Sequence, residues 1–186
     1  MNAIQILLSS SSKGLANLPK KHLLVDTNFL IDAFRSPLQF KELIENLRLN
    51  GFIFVSIEAT LIEFAKGSKS VVDYSKKVAY YSSIIESTLP LDKQIHNNVS
   101  NIIKILLKKG GQLNYVDCLL LGTTMKYQNS LYLFTKDRSD VPISLFNTMA
   151  TIMIETEDNN CAFSIYEFNE EIYMDMLVNR VKETLG

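Results

Sequence analysis

The sequence predicts an α/β domain, a central and mostly parallel sheet with helices on both faces. Two observations carry this. Apolar runs of strand length alternate with segments whose apolar residues recur every three or four positions, an order that favours crossover connections and parallel strands. The 186 residues, 47% hydrophobic and 21% charged, supply one sizeable core rather than several.

The elements follow in order. Residues 1–20 are expected to form an N-terminal extension, with "AIQILL" as a short helix and "SSSSKG" as a flexible break. The main domain is expected over 21–156 and opens with "LLVD", a short buried strand. "FKELIENLRLNG" places Leu43, Ile44 and Leu47 on one helical face, with Asn50 and Gly51 as its stop. "FIFVS" at 52–56 is a second strand, and "EATLIEFAKG" a short helix ending at Gly67. Two longer helices follow, one marked by Val71, Tyr74, Val78, Tyr81 and Ile85, the other by Ile95, Val99, Ile102 and Leu106. The Pro90 region separates them. "NYVDCLLLGTTMKYQ" at 114–128 is a further helix, "LYLF" at 131–134 a third strand and "TIMIE" at 151–155 a fourth. Residues 157–186 read as a C-terminal strand and helix packed on the same domain. There "AFSIYEF" pairs antiparallel with 151–155 at the sheet edge, and the last helix turns Ile172, Met176, Leu177 and Val181 inward.

Composition narrows the function. A net charge of −1 removes the usual electrostatic argument for a nucleic-acid ligand, while a local basic patch remains able to meet phosphate. Cys118 and Cys161 lack metal-like spacing and read as buried thiols of a reducing compartment. The N-terminus lacks a basic start and a long apolar stretch, and no run approaches membrane-spanning length. The expectation is a soluble, cytoplasmic protein without membrane contact.

Chemistry concentrates in four acids. Asp26 ends the first strand, and in open α/β sheets ligands bind beyond the carboxyl ends of strands. It also stands where an aspartate caps a helix. Glu63 lies in the helix after the second strand and is also spaced to pair with Lys66. Asp117 begins a heavily apolar helix, where a first-turn acid is favoured by the helix dipole. Asp137 follows the third strand in a turn. All four are expected on one side of the sheet. Two unit charges about 5 Å apart repel by roughly 3 kcal/mol at an effective dielectric of about 20. A hard divalent cation relieves such repulsion, and an all-oxygen donor set points to Mg²⁺ or Mn²⁺. Asp140 is an alternative to Asp137. Glu58 lies a turn before Glu63 without motif context, and Asp32 is expected on the surface of its helix. His22 and His96 have no metal-ligand partners at useful spacing.

Four stretches, "LLVDTNFLID", "VSIEATLIEFAKG", "NYVDCLLLGTTMKY" and "LYLFTKDRSD", occur in an order that resembles the PIN-domain nucleases. That family includes the ribonuclease toxins of toxin–antitoxin pairs. The resemblance spans about residues 22–155 and leaves both ends uncovered. It implies a three-layer PIN-like fold with the first strand in the middle of the sheet. It also implies that Asp26, Glu63, Asp117 and Asp137 are the catalytic, metal-holding acids. Thr27, Asn28 and Thr135 would support those ligands from behind, and Lys136 and Arg138 would meet substrate phosphates. The implied activity is metal-dependent RNA hydrolysis, a toxin-like endoribonuclease being one form of it. The implied partners are RNA, an antitoxin-like protein and a second copy of the chain. A PIN-like RNA- or protein-binding module without catalysis is the alternative. A haloacid-dehalogenase-type phosphatase would need a second aspartate where Asn28 stands.

Overall fold

The computed structural model describes residues 4–8, 15–107, 114–139, 141–142, 144–155 and 160–185. Asp140 lies outside them. Seven strands form one sheet in the order β1-β6-β7-β5-β2-β3-β4. These are β1 (Ile4–Leu8), β2 (His22–Val25), β3 (Ile53–Ile57), β4 (Ser87–Leu89), β5 (Leu131–Thr135), β6 (Phe146–Glu155) and β7 (Asn160–Phe168). The block β5-β2-β3-β4 is parallel throughout. β7 runs antiparallel to both β5 and β6, and β1 antiparallel to β6. Five strands therefore share one direction, so the sheet is mostly parallel. The helices are α1 (Thr27–Arg35), α2 (Pro37–Leu49), α3 (Glu58–Lys66), α4 (Val71–Ile84), α5 (Lys93–Leu107), α6 (Tyr115–Lys126) and α7 (Glu170–Leu185).

Strand alternation sorts the core into two layers. In β2, Leu23 and Val25 face a cluster with Phe29 of α1, Phe40 and Leu47 of α2, and Tyr81 of α4. Leu24 faces the opposite cluster, with Ile95 and Ile102 of α5 and Leu119 and Leu120 of α6. β5 divides likewise, with Tyr132 and Phe134 on the first side and Leu131 and Leu133 on the second. Helices thus cover both faces. On the second face α5 and α6 approach closely at Gly122, where a Cβ would stand 2.8 Å from Val99 Cγ2 and 2.9 Å from the Ile95 carbonyl oxygen. Among the described residues, no helix is long and apolar enough to cross a membrane.

Four expectations are corrected. Residues 4–8 form a strand rather than a helix, paired over its whole length with 150–154 of β6. Five residues are too few to hold a helix, whereas β6 offers a free edge whose backbone groups need partners. The strand at 160–168 is not at the sheet edge: it is inserted between β5 and β6, and β1 and β4 are the edges. β6 starts at Phe146 and carries a bulge between Thr148 and Ala150, so it is longer than the apolar run that announced it. In α7, Ile172 is exposed, and Tyr173 turns inward to pack on Phe168 at a centroid distance of 5.5 Å. Met176 and Leu177 pack against the same cluster. The short strand β4 has no strand-length apolar run to announce it.

Candidate active site

β2 and β5 are the point where the parallel block changes its direction of growth. The chain leaves β2 toward β3 on one side and returns from α6 into β5 on the other. Loops diverge there, leaving a crevice at the carboxyl ends. Val25 pairs with Phe134 at the end of the β2–β5 ladder, and the Asp26 amide adds one more bond, donating to the Phe134 carbonyl at 3.2 Å. Asp26 and Thr135 therefore emerge side by side, and the Thr135 hydroxyl donates to Asp26 Oδ2 at 2.7 Å. The same hydroxyl oxygen accepts the Asp137 amide at 3.0 Å, which directs its proton toward Asp26.

Asp26 is 3% exposed and stands at the N-cap position of α1, yet its side chain makes no cap hydrogen bond. The amides of Thr27 and Asn28 lie near the carboxylate without closing one. Burial pushes its carboxyl above the usual value of 3.8, opposed by the Thr135 hydrogen bond, those two amides and the Asn28 side chain.

The turn after Asp26 reaches two of the other acids. Asn28 Nδ2 donates to Asp26 Oδ2 at 3.2 Å and to Asp137 Oδ2 at 3.5 Å, the second at the limit of hydrogen-bond distance. Thr27 Oγ1 donates to Glu63 Oε2 at 2.6 Å. Glu63 is thus bound across elements rather than to Lys66. Its second oxygen accepts Asn114 Nδ2 at 3.0 Å. Ser139 Oγ donates to Asp137 Oδ1 at 2.8 Å.

Asp26, Asp117 and Asp137 line one small open cleft with Thr135, backed by Leu120, Leu121, Leu133 and Val141. Glu63 is linked to it through Thr27 and lies outside its lining. Lys136 is drawn away from the cleft acids: its ammonium pairs with Asp32 Oδ2 at 2.6 Å. Asp32, expected on the helix surface, is instead this half-buried partner, with Cys161 Sγ 3.9 Å from the same oxygen. Arg138 is exposed.

The hydrogen bonds on Asp26, Glu63 and Asp137 come from neutral hydroxyls and amides. Such donors orient carboxylates while leaving their charge, so the donor chemistry suits a hard divalent cation. Convergence is incomplete: among the described residues, no group of three or more His, Cys, Asp or Glu side chains is arranged to hold a metal ion. Glu63 and the cleft acids would have to draw together on binding.

Sequence reasoning missed Asn114, Ser139 and the partner role of Asp32. Asn114 had a signal, since an asparagine three residues before Asp117 marks a helix start. Nothing in that signal discloses a contact 51 residues away. Compared with known proteins, no family model matches the chain, and no curated protein or solved structure is significantly similar to it.

Proposed function

We propose that the chain is a divalent-metal-dependent nuclease of PIN-like architecture that hydrolyses RNA phosphodiester bonds. The observation that carries this reading is the meeting of Asp26, Asp117 and Asp137 in one cleft at the carboxyl ends of β2 and β5. Three carboxylates from separate elements that line one cleft repel one another, and a hard divalent cation there would offset that repulsion. Asp26, Asp117 and Asp137, with Glu63 at the margin, would hold Mg²⁺ or Mn²⁺. The ion would lower the pKa of a bound water and offset charge on the phosphate. Thr135 and Asn28 hold Asp26 and Asp137 in fixed relative orientation. Arg138 is placed in sequence to meet a substrate phosphate beside Asp137, and Lys136 can do so only by leaving Asp32. RNA is the proposed substrate; an antitoxin-like protein and a second copy of the chain are the proposed partners. A reducing, cytoplasmic setting fits the two free thiols.

One observation favours a second reading, a PIN-like RNA- or protein-binding module without catalysis. That observation is the lack of a ready three-ligand cluster among the described residues. Cleavage of single-stranded RNA with and without Mn²⁺ separates the two. The nuclease reading expects cleavage that depends on Mn²⁺ and an upward shift in melting temperature with the ion. RNA binding without either effect supports the module.

A further inference from the structure

Asn114 is the N-cap residue of α6, with extended backbone at φ −65° and ψ 152°. Asparagine is among the best capping residues because its side-chain oxygen can accept an amide of the first turn. Here it makes no such bond. Its amide reaches across to α3 and donates to Glu63 Oε1 at 3.0 Å. The other oxygen of the same carboxylate accepts Thr27 Oγ1 at 2.6 Å. Both oxygens of Glu63 are thus held, from two different elements, by neutral donors. A carboxylate offers about four acceptor positions, so two remain for another ligand.

Asn114 also stands one turn before Asp117, which lines the cleft. Its side chain therefore ties Glu63 to the helix that carries a cleft acid. We infer that Asn114 is a positioning residue for metal binding, which sets Glu63 relative to Asp117 by holding the Glu63 carboxylate from the start of α6. This rests on the reading of the acids as a metal site. With the acids not yet converged, any part of their arrangement set in advance lowers the cost of assembling them around an ion. With Asn114 removed, the Glu63 carboxylate keeps its hydrogen bond to Thr27 and loses the one from α6.

The test is Mn²⁺ binding by calorimetry to the whole protein, beside RNA cleavage as a function of Mn²⁺. Asn114→Ala removes the donor and the capping oxygen together. Asn114→Ser keeps a residue able to cap α6, with a side chain too short to reach Glu63. The expected result is that both variants weaken Mn²⁺ binding by about 10-fold or more, the usual loss when a residue supporting a metal ligand is removed. At saturating Mn²⁺ the KM for RNA should be unchanged. In a Glu63→Gln background, Asn114→Ala should produce no further loss of binding. Wild-type Mn²⁺ affinity in Asn114→Ala overturns the inference and leaves the nuclease reading standing. So does recovery in Asn114→Ser, which would make Asn114 a helix cap. A wild-type protein that neither binds Mn²⁺ nor cleaves RNA overturns the metal-site reading and this inference with it.

Discussion

The two halves of the sheet are built from similar apolar material and end differently. In the parallel half, β2 and β5 lead directly into Asp26, Thr135 and Asp137, and the chain after β3 leads into the helix that carries Glu63. In the antiparallel half, β1, β6 and β7 pair with one another and with β5, and contribute none of the four candidate acids. Parallel strands need long crossovers, so their carboxyl ends point into diverging loops where polar side chains can collect. β6 and β7 follow one another in the chain and pair along nearly their whole length, so their ends are consumed in pairing. The parallel half thus carries the chemistry, and the antiparallel half closes the core behind it.

The largest effect should come from removing the closing half. A chain ending at residue 158 loses β7 from between β5 and β6, and with it buried Phe163, Ile165, Tyr166 and Phe168. It also exposes an edge of β5. The expected outcome is loss of a cooperative melting transition or insolubility. A soluble chain melting at the full-length temperature would show that the parallel half stands alone.

Next come the acids of the parallel half. Asp26→Asn and Asp117→Asn should each lower Mn²⁺-dependent cleavage of single-stranded RNA by at least about 100-fold, the scale of a lost metal ligand or its support. Melting without metal should be no lower than wild type. Intact cleavage by both variants would place the chemistry elsewhere. Asp137→Ala should likewise lose activity while Asp140→Ala keeps it; the reverse would shift the fourth acid by three residues.

The buried state of Asp26 adds a pH test. Its folded pKa is raised above 3.8 by burial, so the folded state holds its proton more tightly than the unfolded chain does. Stability from this group is greatest below the unfolded value and falls as pH rises through the raised folded value. Metal-free wild type should therefore lose melting temperature over that window relative to Asp26→Asn. Parallel pH curves for the two proteins would contradict the burial argument.

On the second face of the sheet, Gly122→Ala should destabilise. Overpacking against Val99 and the Ile95 carbonyl costs about 1–3 kcal/mol, while alanine recovers about 1 kcal/mol of helix propensity. The backbone oxygen cannot rotate away, so the clash should win and melting should fall by a few degrees. An unchanged melting temperature would mean that α5 and α6 separate easily. Lys136→Ala should have the smallest effect, about 1 kcal/mol, because its ammonium is partly exposed although the Asp32 carboxylate left behind is largely buried. A raised KM for RNA with unchanged stability would instead make Lys136 a substrate contact.

Local pattern alone determined β2, β3 and β5 of the parallel half and most of its helices, while β4, three residues long, left no such pattern. A buried parallel strand is a short unbroken apolar run, and β2, β3 and β5 each have one bounded by polar residues. The positions of Asp26, Asp117 and Asp137 were legible for the same reason: each acid adjoins an apolar element whose direction places it at one end of the sheet. Only the tertiary structure decided the antiparallel half. Residues 4–8 are a strand because β6 offers an edge, and β7 lies inside the sheet because β5 and β6 leave a gap of one strand between them. Neither fact is local to the segment concerned. Contacts between distant side chains were equally hidden: Asn114 announces a cap and binds Glu63, and Asp32 announces a helix surface and binds Lys136. Side-chain periodicity reports which face of an element is buried, whereas a hydrogen bond across elements depends on how those elements are packed.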